Sequence, residues 1–153
     1  MSADRLMPSE VRRKVLSQHR EIESMLSELE TGAKRLGLGQ DVGEQVKRAA
    51  FALRGILELH LTFEEAHMVP AIKEADGFGP ERARHIHAEH AEQRQYLDEL
   101  VHGILDAKSP LDIQAGVNEL AGMLRADIAE EEADYVNETL LRDDIIPTDT
   151  FGG

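Results

Sequence analysis

Apolar residues recur along this chain at alternating steps of three and four, the period of amphipathic helices rather than of strands. The stripe runs through Val15, Ile22, Leu26 and Leu29, then Leu53, Ile56, Leu57 and Phe63, then Ile86, Leu97, Val101 and Ile104, and finally Ile113, Val117, Leu120 and Leu124. Turn-forming clusters separate the four stretches: Pro8-Ser9, Gly37-Leu38-Gly39, Gly77-Phe78-Gly79-Pro80 and Ser109-Pro110. Four helices of roughly 25 to 35 residues with short connections predict an all-α fold, an antiparallel up-down-up-down four-helix bundle. Pro70 falls inside the second stretch, where it removes a backbone donor and is expected to kink or shorten that helix after Met68-Val69. Beyond Leu141 the period is lost and Pro147, Gly152 and Gly153 appear, so the bundle is assigned to residues 1–141 and an extended tail to 142–153.

Each stripe turns polar for one or two turns. The first reads Val15, His19, Ile22, Leu26; the second Leu57, His60, Glu64, His67; the third Ile86, His90, Gln93, Leu97; the fourth Leu124, Asp127, Glu131, Asp134. Histidine and carboxylate are uncommon on a core face, and a buried carboxylate costs several kcal/mol unless it is paired, protonated or bound to a cation. At a rise of about 1.5 Å per residue, with helix direction alternating, these positions converge at one depth. A bound metal accounts for all of them together; buried His–carboxylate hydrogen bonds or a water-filled pocket is the plainer reading.

The sequence also repeats itself. Residues 17–29 lie over 88–100 at an offset of 71, matching His19 to His90, Leu26 to Leu97 and Leu29 to Leu100. At an offset of 67, His60-x-x-x-Glu64-Glu65-Ala66-His67 lies over Asp127-x-x-x-Glu131-Glu132-Ala133-Asp134. Each hairpin therefore brings one histidine from its first helix and a (His/Asp)-x-x-x-Glu pair from its second. Two ions bridged by Glu64 and Glu131 would suit that pseudo-twofold arrangement.

Composition narrows the chemistry. With 153 residues, one domain with a single core is expected. Thirty Asp and Glu against seventeen Lys and Arg give a formal net charge of -13, which repels nucleic acid and anionic lipid surfaces. There is no cysteine, so disulfides, thiolate nucleophiles and cysteine-ligated metals are excluded and any metal must use imidazole and carboxylate. Neither a leader-like start nor an apolar run of about 18 residues occurs, so a cytoplasmic location away from membranes is expected.

In this order and at this helical depth, His19, His60-x-x-x-Glu64-Glu65 followed by Pro70, Glu89-His90, and Asp127-x-x-x-Glu131-Glu132 resemble the hemerythrin-like, HHE cation-binding family from His19 to about Tyr135. The resemblance implies a four-helix bundle around a non-haem di-iron centre that meets O2, peroxide or nitric oxide, with His19, His60, Glu64, His90 and Glu131 at ligand positions. Two departures stand out: Asp127 replaces a histidine in the fourth helix, and Arg94 replaces the second histidine of a His-x-x-x-His pair in the third. Asp127 is taken as a ligand, His67 and His87 as candidate additional ligands, and Gln93 and Tyr135 as groups that orient ligands. His85 and His102 are assigned to the surface. The oxygen-rich set would also accept manganese, and it favours ferroxidase or peroxide-consuming activity over O2 carriage. Two alternatives accompany this reading: an iron-oxidising or iron-storing cargo protein docked on a protein partner through the tail, whose Ile145-Ile146-Pro147 and Phe151 supply apolar anchors, and a sensory or structural bundle with a degenerate site.

Overall fold

A computed structural model describes residues 5–144. Within them the chain is helical and contains no strand. It forms α1 (Pro8–Gly37), α2 (Gly43–Phe63), a single π turn (Glu64–Met68), α3 (Val69–Ala75), α4 (Gly79–Asp106) and α5 (Pro110–Asp134). The tail anchors at Ile145-Ile146-Pro147 and Phe151 lie outside the described residues. No described helix is long and apolar enough to cross a membrane.

Local chemistry starts and stops these helices. Pro8 opens α1, and the Glu10 carboxylate accepts a hydrogen bond from the Met7 N–H at 2.9 Å, satisfying a donor that precedes the first turn. The helix ends before Gly39, whose φ of +83° suits a residue without a Cβ. Ser109 caps α5 by accepting from the Asp112 N–H at 3.1 Å, with Pro110 in the first turn. After Asp134 the Asn137 side chain accepts from the N–H groups of Thr139 and Leu140 at 3.0 Å each, a local turn that replaces further helix. The helical part of the fourth segment therefore stops short of Leu141. The residues that follow still belong to the core: Tyr135, Val136, Leu140 and Leu141 are buried, and Arg12 donates to the Leu141 carbonyl at 2.6 Å.

The Pro70 irregularity takes a different form from a break after Val69. The α-helix gives way at Glu64, and the Val69 N–H reaches back five residues to the Glu64 carbonyl. Proline's ring crowds the carbonyl four residues earlier, here Ala66, so the turn ahead of it widens. Pro70 itself then sits in the first turn of α3, where a missing N–H is tolerated.

Helix α1 packs on α2 and α5, and α4 packs on α2, α3 and α5. Apolar side chains gather in two clusters. One contains Ile22, Leu26, Leu53, Leu57, Leu97, Leu120 and Leu124; the other contains Val11, Val15, Met68, Ile72, Ile86, Tyr135 and Leu141. Each long segment crosses from one cluster to the other, and the polar residues of its stripe lie at the crossing: His19 between Val15 and Ile22, His60 and Glu64 between Leu57 and Met68, His90 between Ile86 and Leu97, Glu131 between Leu124 and Tyr135. The fold thus sandwiches one polar layer between two apolar ones.

At the join between α3 and α4 the backbone passes close to itself. A Cβ on Gly79 would run into the carbonyl groups of Ile72 and Lys73, whereas one on Gly122, exposed in mid-helix, would meet open space. Gly79→Ala is expected to lower the unfolding free energy by about 1–3 kcal/mol, and Gly122→Ala to raise it by about 1 kcal/mol. Urea midpoints of the two variants, read by circular dichroism, check both signs.

Candidate metal centre

Four side chains from three helices and the π turn converge in the polar layer. One donor atom each from His19, His60, Glu64 and Glu131 lies within 4.8 Å of the others. A fifth group joins them: His90 Nε2 is 3.3 Å from Glu64 Oε1, the same distance as His60 Nε2. His19, His60 and His90 are buried, and Glu64 is 0% exposed.

Every imidazole is held from behind. His19 Nδ1 pairs with Glu132 at 3.0 Å, His60 Nδ1 with the Gln18 carbonyl oxygen at 2.6 Å, and His90 Nδ1 with Glu65 at 3.2 Å. An Nδ1–H donating to oxygen leaves the Nε2 lone pair free, and all three Nε2 atoms face the interior of the layer. The two Glu-Glu pairs act reciprocally across the two halves of the chain. Glu64 and Glu65 flank both nitrogens of His90 on α4, while Glu131 and Glu132 flank both nitrogens of His19 on α1, with Glu131 Oε1 at 3.0 Å from Nε2.

Behind Glu65 stands Arg94, which donates to both of its oxygens at 2.7 and 2.8 Å and to Glu58 at 3.1 Å. The residue that replaces an imidazole in the sequence thus anchors the carboxylate that orients another one. The Arg94 guanidinium holds the Glu65 carboxyl down at about 2, in spite of partial burial.

Electrostatics separates the remaining groups. Burial pushes Glu64 well up, and the neighbouring Glu131 pushes it further. Burial acts on Glu131 in the same direction, but Glu64 and His19 beside it outweigh burial and hold it low. Burial lowers His60 to about 4, with the nearby His19 adding to the effect, and burial also lowers His90. His60 and His90 are therefore neutral near pH 7, the form that ligates a metal. His19 is also buried, but Glu131 and Glu132 overcome that penalty and raise it.

His19 Nε2, both Glu64 oxygens, His90 Nε2 and Glu131 Oε1 are the buried side-chain atoms without a well-formed hydrogen bond among the described residues. Such atoms cost about 1–3 kcal/mol each when left unmatched. Here they share one layer, around a cavity of about 20 Å3 bordered by His19, His60, Glu64, Gln93, Asp127 and Glu131. Two carboxylates and three neutral-capable imidazoles, their outer nitrogens already occupied, are a donor set suited to a first-row divalent metal.

The other sequence candidates fall elsewhere. Asp127 is half-buried beside the cavity, outside the tight cluster; it accepts a hydrogen bond from the Tyr96 hydroxyl, and burial, with Glu130 and Glu89 near it, raises it to about 6. Gln93 borders the same cavity. His67 is partly buried with its ring 4.8 Å from that of Phe63, and His87 is exposed; neither is among the converging residues. Tyr135 packs in the second apolar cluster, where burial raises its phenol to about 12. Gln18, Glu65, Glu132 and Tyr96 were not singled out in the sequence. The repeated Glu-Glu pair was the one available signal, for Glu65 and Glu132.

Residues 11–138 match the family described as Hemerythrin HHE cation binding domain. Comparison with curated proteins and with solved structures gave no match.

The Glu65 carboxyl sits below its ordinary value in the folded chain, so its contribution to stability is present above about pH 4.5 and is lost as pH falls toward about 2. Arg94→Gln is expected to cost about 0.5–1 kcal/mol at pH 7, the range of a largely solvent-screened ion pair. The gap to the parent protein should close through that acid range in denaturation curves taken on metal-free protein.

Proposed function

The chain belongs to the hemerythrin HHE cation-binding family, and from that premise we propose that it is a non-haem di-iron protein acting on O2, peroxide or nitric oxide. The observation that carries this reading is the set of converging buried atoms with no hydrogen-bond partner, on His19, Glu64, His90 and Glu131. His19, His60, Glu64 and Glu131 would hold one ion. Glu64 and Glu131 would be shared with a second, completed by His90 and Asp127. Iron bound there supplies one-electron redox chemistry toward small oxygen and nitrogen oxides. Manganese suits the same oxygen-rich donors.

The chain's own part is to keep three imidazoles in the right tautomer through Glu132, Gln18 and Glu65, and to exclude bulk water with an apolar cluster on either side. Asp127 and Tyr96 make the second half of the site richer in oxygen than the first, which favours ferroxidase or peroxide-consuming turnover over reversible O2 carriage. An antiparallel up-down-up-down course of the four segments belongs to this reading. It is supported by the order in which α1 and α4 run from the second apolar cluster to the first while α2 and α5 run from the first to the second.

Anaerobic loading with Fe(II), followed by metal analysis and ultraviolet–visible spectra before and after O2, peroxide or nitric oxide, tests the proposal. About two irons per chain and an oxidant-dependent spectrum are expected; retention of one iron or none would overturn the two-ion reading. Free metal at a hundredfold excess over its dissociation constant should stabilise the parent protein by about 2.7 kcal/mol. Glu64→Ala should show neither the bound iron nor the rise in melting temperature.

A further inference from the structure

Beside the buried layer, a surface cleft of about 290 Å3 opens between α4 and α5. Its walls carry Glu89, Glu92, Asp127, Glu130 and Glu131, and neither Lys nor Arg lines it. His85, its one basic side chain, is exposed and pairs with Glu89 at 2.7 Å. Three of the cleft's residues, Gln93, Asp127 and Glu131, also border the small cavity into which the layer faces. At that cavity Glu64 is wholly buried, with neither oxygen hydrogen-bonded. A row of carboxylates therefore runs from solvent to an unpartnered buried carboxylate.

The neighbouring cleft between α2 and α4 differs in charge and connection. It is lined by Arg54 and Arg94 opposite Glu58 and Asp98, which balance, and it meets the buried cavity only at the apolar Leu97. A desolvating divalent cation would find compensating charge along the α4–α5 cleft, whereas the carboxylates of the other are already paired with Arg54 and Arg94. Clefts lined by one sign of charge raise association rates about 10- to 1,000-fold, an effect that salt screens.

We propose that the α4–α5 cleft is the loading route for divalent cations, with Glu89, Glu92 and Glu130 gathering the ion outside and Asp127 and Glu131 passing it to the buried layer. This rests on the metal-binding reading above, and Tyr96, which holds Asp127 at the boundary, is its positioning residue. The sequence repeat sharpens the contrast: Gln18, which backs His60, corresponds at the offset of 71 to Glu89, so the anionic approach belongs to one half of the pseudo-symmetric site.

Cobalt(II) uptake by metal-free protein, followed by stopped-flow visible absorbance, tests the route without reference to any turnover. The double variant Glu89→Gln/Glu130→Gln should load about tenfold more slowly at low ionic strength, with unchanged final stoichiometry and a difference that shrinks in high salt. A control, Glu21→Gln/Glu28→Gln, removes the same charge from exposed positions of α1 and should load within about twofold of the parent. His85→Glu adds a negative charge to the cleft and should accelerate uptake. Cleft variants that load like the α1 control, with His85→Glu unchanged, would overturn the route while leaving the buried site intact. A parent protein that takes up no cobalt would overturn both.

Discussion

The structure depends on how two carboxylates and three imidazoles are tolerated between two apolar clusters. Glu64 is fully buried and its oxygens find no donor. Two features limit the cost of such burial: each imidazole is tied on its outer nitrogen, so orientation is fixed before any ion arrives, and the layer is thin, flanked above and below by close-packed aliphatic side chains. The remaining unmatched polarity is concentrated in that one layer, where bound cations would relieve it.

The two halves of the site resemble each other in construction and differ in charge. His60 with Gln18 on one side corresponds to Asp127 with Glu89 on the other. The first pair is neutral, with His60 buried and Gln18 half-buried. The second crowds anions together, which is why burial and its acidic neighbours raise Asp127 to about 6. Arg94 adds to the asymmetry: it neutralises Glu65 behind His90, whereas Glu132 behind His19 is 39% exposed and is screened by solvent instead.

Much of this was legible in the sequence, and the parts that were not have a common cause. The stripes of three- and four-residue steps carried the helices, the polar layer and its five converging residues, because burial imposes periodicity on whatever lies on a core face. Residues that act from the flank escape that logic. Glu65 and Glu132 follow a stripe residue directly, about 100° around a regular helix, and read as solvated acids. Arg94 looked like the loss of a ligand because only its place four residues after His90 was visible, not its reach to Glu58 and Glu65. The π turn was hidden for a related reason: Pro70 signals disturbance, but how the backbone absorbs it depends on tertiary contacts.

The grip on the imidazoles is crossed between the two halves of the chain. Glu64 and Glu65 of the first half flank His90 of the second, and Glu131 and Glu132 of the second half flank His19 of the first. Of the three imidazoles, only His60 meets an acid of its own half, Glu64; His19 and His90 depend on the other half. Two copies of a half-length chain, paired about a twofold axis, would repeat the crossed contacts, each copy supplying the acids that flank the other's histidine. Joining two copies in tandem then frees each half to drift, and the contrast between His60 and Asp127 has the form such a drift would take.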